Sequence, residues 1–219
     1  KNIGTHIVIT LPKDASVREL KFELTGNMNR YVWSMDNKVL SETDKILIKK
    51  GEIVRITMYN NSMMRHPMHL HGHFFRVLNK QGAYSPLKHT VNIAAMEMVT
   101  IEFEATEDKD WFFHCHLLYH MMSGMGRVVS YEGSDVPLNT KKKYSRFVSD
   151  DRALFPFADV ELQSNGVFGE VAVRNTYWQY GVHGESGWQE TNYELKPKIQ
   201  RFIGPRQFFA VYLGSEISK

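Results

Sequence analysis

The chain has 219 residues, of which 42% are hydrophobic, 12% aromatic and 23% charged. That length holds one sizeable core and a smaller appendage, and no stretch approaches the ~20 consecutive apolar residues of a membrane-spanning helix. A net charge of +3 at pH 7 is too mild to point to nucleic acid, and a single cysteine, Cys115, excludes an internal disulfide and leaves the redox compartment unread.

The opening residues, "KNIGTHIVIT", carry no signal-peptide pattern. Residues 1–131 then read as short strands: "THIVIT", "ELKFEL", "EIVRITMYN", "HFFRVLN", "MVTIEFEA" and "GRVVSY", with Gly, Asn, Asp and Lys between them. Many short strands without a helical period predict an all-β sandwich. Residues 132–151 turn polar and charged and read as a linker, in which Lys141, Lys142 and Lys143 form a solvated run rather than a binding patch. Residues 152–219 resume strand-like segments, "GVFGEVAVRNTYWQY", "YELKPKIQRF" and "QFFAVYLG". Val171 and Val173 alternate there with Glu170, Ala172 and Arg174, a period of two. About four strands are expected in this β-rich extension, too few to close a barrel, which takes about eight.

The chemistry gathers in "HPMHLHGH" (66–73) and "WFFHCHLLYHMMSGM" (111–125). Soft sulfur and borderline imidazole nitrogen placed this densely suggest a transition metal. If "FFHCH" is a strand, Cys115 points to one face and His114 and His116 to the other. The same parity sets His66 with Cys115, and His69 and His71 with His114 and His116. Two metal environments are then joined through one residue's backbone. Two imidazoles, a thiolate and a weak axial thioether make a blue-copper site, and His66, Cys115, His120 and Met125 offer that set. A buried free cysteine among core aromatics is the plain alternative, opposed by six further histidines at ligand spacing. A structural zinc site closes with four ligands and has no use for His-Cys-His on alternating faces.

The two motifs resemble the copper motifs in the last cupredoxin domain of multicopper oxidases. "NSMMRHPMHLHG", "KHTV" and "FHCHLLYHM" most resemble the copper-resistance oxidases of the bacterial periplasm. The resemblance covers residues 25–131 and implies a Greek-key β-sandwich of the cupredoxin type. It implies type 1 copper on His66, Cys115, His120 and Met125, type 2 copper on His69, and a type 3 pair on His71, His114 and His116. It further implies an oxidase that takes electrons from Cu(I) or a phenol-like donor, passes them through Cys115 and its flanking histidines, and reduces dioxygen to water. A periplasmic location follows from the same likeness. In that family half of the eight cluster histidines come from His-x-His pairs in another domain, and no such second set exists here: His6, His89 and His183 are isolated. An N-terminal cupredoxin domain or a partner chain is therefore expected to complete the cluster. A stand-alone blue-copper carrier and a copper-sequestering module are the competing readings.

His73 reads as a structural or supporting residue, His89 as either a plain loop histidine or one hydrogen-bonded near the type 1 site, and His183 as a surface residue. Met63, Met64, Met68, Met121 and Met122 are each core filler taken singly, but their pairs beside ligands suit Cu(I). The tail reads as an undefined soluble β extension; the alternative is a faint resemblance to the terminal hairpins of outer-membrane copper-resistance proteins, which implies association with a membrane.

Overall fold

The computed structural model describes residues 14–28, 30, 32–134, 152–189, 192–203, 208–213 and 215–218. The expected strand "THIVIT", His6 and the linker beyond Ser134 lie outside them. The chain separates into two compact units, residues 1–150 and 151–219.

In the first unit the order is β1 (Val17–Asn27), β2 (Val32–Met35), β3 (Ile46–Ile48), β4 (Ile53–Asn60), β5 (His66–Leu70) and β6 (Phe75–Leu78). There follow β7 (Leu87–Lys88), β8 (Thr90–Ile93), β9 (Met98–Glu104), β10 (Asp110–Cys115), the short helix α1 (Leu118–Met122) and β11 (Gly126–Tyr131). They form two mixed sheets, ordered β2-β1-β4-β9-β6-β7 and β3-β11-β10-β5-β8. This is the all-β sandwich expected from the run of short strands.

Period-two alternation builds the core. Along β4, Val54, Ile56, Met58 and Asn60 are fully buried while Arg55, Thr57 and Tyr59 face outward, half-covered. The outward residues meet their register partners on β9: Arg55 pairs with Glu102 at 2.6 Å, and Thr57 bonds Thr100 at 3.0 Å. Against Leu24, Ile56 and Ile101 of the first sheet pack Met68, Ile93, Phe113 and Val129 of the second, one continuous apolar layer that also holds Cys115 and Met125.

One turn prepares the metal end. Asp36 and Asn37 both have positive φ, 52° and 58°, as a two-residue hairpin loop demands, and Met35 and Lys38 exchange backbone hydrogen bonds across it. The buried guanidinium of Arg127 donates to the carbonyls of Met35, Lys38 and Gly126, tying this hairpin to the residue after Met125. Burial lowers its pKa to about 10, so it stays charged at neutral pH.

The second unit holds β12 (Phe155–Gln163), β13 (Gly166–Arg174), β14 (Trp178–Gly187), β15 (Asn192–Phe202), β16 (Phe208–Tyr212) and β17 (Ser215–Ser218). They make one antiparallel sheet in which β15 pairs with β16 along Lys198–Phe202 and with β17 along Asn192–Leu195. Among the described residues six strands thus stand where about four were expected. β12 leaves little strand signal in the sequence because Pro156, Asp159 and Glu161 break its apolar run.

Candidate metal centre

β5 and β10 are antiparallel neighbours in which Cys115 lies opposite Met68, and His114 opposite His69. Pleating turns His66, Met68 and Leu70 into the core with Cys115, while His69 stays half-covered on the other face. The chain then leaves β10, and α1 carries His120 back over the cysteine. His66, Cys115 and His120 are buried together, 0%, 0% and 3% exposed.

The three donor atoms form a near-regular triangle. His66 Nδ1 is 3.7 Å and His120 Nδ1 3.6 Å from Cys115 Sγ, and the two nitrogens are 3.1 Å apart. A point in their plane lies about 2.0 Å from all three atoms, close to the distance at which imidazole nitrogen binds a first-row metal. The donor set therefore fits a copper ion of the thiolate-bis-imidazole kind. Met125 is fully buried beside it: its amide bonds the His120 carbonyl at 3.0 Å, and its carbonyl takes the Cys115 amide at 3.1 Å. Gly124 makes that return, with φ of 113° and a Cβ position that would overlap Val39.

The electrostatics of the three groups suit a cation. Burial pushes the Cys115 thiol up to about 12, against a weaker opposing hydrogen bond from the Leu117 amide. Burial pulls His66 down to about 3, helped by His120, and pulls His120 down to about 4. Both imidazoles are neutral at pH 7, as metal ligands must be, and a cation entering between them would displace the thiol proton.

Three neighbours were not legible in the sequence. Ser62 Oγ lies 2.7 Å from His66 Nε2, and it bonds the buried Asn60 side chain at 2.8 Å. Trp33 stacks on His120 with ring centres 3.9 Å apart and meets His66 edge-on at 5.2 Å. No spacing rule links Trp33 to His66 and His120, whereas "NNSMMRH" places Ser62 four residues before His66.

On the other face, four imidazoles converge. His71 Nε2 and His114 Nε2 are 2.9 Å apart. The His69 ring lies 4.7 Å from that of His71 and 5.6 Å from those of His114 and His116. Two of the four have fixed tautomers. His114 Nδ1 donates to the Cys115 carbonyl at 2.9 Å, and His69 Nδ1 to the His89 carbonyl at 2.6 Å, leaving both Nε2 atoms as acceptors. His114 is drawn down to about 4, first by burial and then by the neighbouring imidazoles. His89 thus belongs beside His69, not beside the cysteine site. His73 is structural: its Nδ1 donates to the His71 carbonyl, and its Nε2 accepts from Tyr131 at 2.7 Å. Met63 is 84% exposed, Met68 is core, and Met64, Met121 and Met122 are half-covered.

Comparison with known proteins agrees with this geometry. Over 115 residues the chain is 37% identical to copper resistance protein A of Escherichia coli, covering 52% of this chain and 19% of that protein. Over 121 residues it is 29% identical to MmcO, a multicopper oxidase of Mycobacterium tuberculosis, covering 55% of this chain and 24% of the other. The chain thus spans a fifth to a quarter of the length of these relatives. Among solved structures, Fet3p, a multicopper oxidase that functions in iron import, superposes with a TM-score of 0.50 at 18% identity, covering 64% of this chain and 37% of that one. That likeness shows the shared cupredoxin fold. Residues 15–135 match the multicopper oxidase family over more than half of the chain, and to that family the chain belongs.

Proposed function

We propose that the first unit is the electron-accepting domain of a copper-dependent oxidase with dioxygen as terminal acceptor. The observation that carries this reading is the pairing of His66, Cys115 and His120 on one face of the β5–β10 pair with His69, His71, His114 and His116 gathered on the other. Bound copper would supply one-electron exchange with a reductant at the first group and four-electron reduction of dioxygen to water at the completed second group.

The chain's own part is to hold the donors apart and yet connected. Cys115 offers its sulfur to the first group, and its peptide links to His114 and His116 are the shortest covalent connection to the second. Met125 would add a thioether sulfur to the donors of the first group. His69 is the type 2 ligand, and His71, His114 and His116 serve the type 3 pair. The remaining histidines come from an N-terminal cupredoxin domain or a partner chain that bears His-x-His pairs. The likeness to copper resistance proteins favours Cu(I) as reductant over a small phenol, in a periplasmic setting.

The copper-loaded chain is expected to show an intense blue thiolate-to-copper absorption, abolished by Cys115→Ser and kept in His69→Ala. A colourless Cu(II) form of the unaltered chain overturns the assignment. Oxygen consumption stays at background until a chain carrying the complementary His-x-His pairs is added.

A further inference from the structure

The register of the second unit gathers aliphatic side chains on one face, and that face is open. Pro156, Val173, Tyr180, Ile199 and Val211 form one row across β12–β16. Val160, Val171, Val182 and Leu195 share that face and are 38% to 64% exposed. The opposite face carries the row Asp159, Glu170, His183 and Lys196. Asp159 is exposed there, but toward the middle of the sheet polar groups are covered. Lys198 is 8% exposed and bonds Glu170 at 2.6 Å, while Gln179, 5% exposed, bonds the same carboxylate at 2.7 Å. A sheet in water buries its apolar face and solvates its polar one. This sheet leaves its aliphatic face open.

Its dimensions and its charges both suit a bilayer. β12, β13, β14 and β15 have 9, 9, 10 and 11 residues, and a tilted strand crosses hydrocarbon in about 9–11. Trp178 opens β14 on the apolar side and Trp188 lies in the turn after its end, both at least 36% exposed. At ~3.4 Å per residue and a tilt of ~40°, that separation spans about 26 Å, close to the ~25 Å apolar band that aromatic girdles flank in membrane barrels. Among β12–β16, the apolar face bears one charged side chain, Arg201. It lies level with Trp178, stacked 4.9 Å from that ring. A face uncharged along its middle complements acyl chains, and a cation at the girdle complements lipid phosphate.

We propose that the apolar face of β12–β16 contacts the acyl chains of a lipid bilayer, the second unit being part of the wall of a transmembrane β-barrel. The Asp159–Glu170–His183–Lys196 row then lines the inner, wet side. A closed wall takes at least about eight strands, so further strands pair along β12 or β16. The inference is independent of the copper reading.

The test uses the full chain, refolded with vesicles of phosphatidylethanolamine and phosphatidylglycerol, washed with carbonate and floated. The chain is expected to float. Val171→Lys with Val182→Lys should lower the floated fraction at least tenfold, and Asp159→Asn on the other face should leave it unchanged. Because the lysine variant can fail to fold, a second reading uses the unaltered side chains. Brominated lipid should quench tryptophan emission, and Trp178→Phe with Trp188→Phe should remove the quenched part. A chain that stays in the aqueous fraction unquenched overturns the proposal. So does a soluble dimer that the two lysines convert to monomer, since a second copy would then cover this face.

Discussion

Ser62 Oγ sits 2.7 Å from His66 Nε2, the ring nitrogen opposite the one that faces Cys115. The hydrogen bonds run in one direction. Nε2–H donates to Ser62, whose hydroxyl donates to Asn60 Oδ1 at 2.8 Å, and the Asn60 amide donates to the carbonyls of Met64 and Ala94. That chain of donors leaves the Nδ1 lone pair free for a metal. Ser62→Ala should therefore weaken copper binding about 10- to 100-fold, the usual effect of losing a partner behind a ligand histidine. A chelator-competition titration measures it, and unchanged affinity would mean that packing alone orients His66.

Gly26 lies directly opposite Trp33 on paired strands, and a Cβ there would overlap the six-membered ring of the indole. That ring is the surface on which His120 stacks. Gly26→Ala is expected to cost about 1–3 kcal/mol, as overpacking does, and to shift the blue band. Denaturant unfolding and the visible spectrum should change together. A destabilised variant with an unmoved spectrum separates Trp33 from the copper environment.

The metal-free chain should be most stable between about pH 6.5 and 9. His66, His120 and His114 have folded pKa values of about 3, 4 and 4 against 6.5 unfolded, so the unfolded chain binds more protons as pH falls below 6.5, and stability drops. Cys115 keeps its proton to about 12 when folded against 9.0 unfolded, and Tyr131 to about 12 against 10.0, so stability also falls above pH 9. Melting temperatures taken across this range locate the maximum. Copper should flatten the acid limb by occupying the neutral imidazoles. A metal-free chain that gains stability on acidification contradicts the argument.

Met125→Leu removes a weak thioether donor to Cu(II) while keeping the buried volume nearly constant. The reduction potential should rise, because the axial ligand tunes it. Voltammetry on the copper-loaded chain reads the shift directly. An unchanged potential would exclude Met125 as the axial group, and Met121 or Met122, on the same helix as His120, would be next to test.

Much of the first unit is local and therefore legible. Pleating depends only on a residue's neighbours, so "HCH" and "HPMH" already declare that Cys115 and His66 turn one way and His114 and His69 the other. The sandwich follows from many short alternating runs for the same reason. The residues that complete the site are set by which strands pair and in what register. Trp33 reaches His120 because β2 and α1 meet across the sheet end, and His69 finds the His89 carbonyl because β8 lies beside β5. In the second unit, the two-residue period of "EVAVR" shows that two faces differ in polarity. It does not say which one is covered. Cross-strand register alone lets Lys198 reach Glu170 on the diagonal and leaves Val171 beside Val182 in the open. Alternation is a property of the bonded chain, whereas coverage depends on contacts between distant segments.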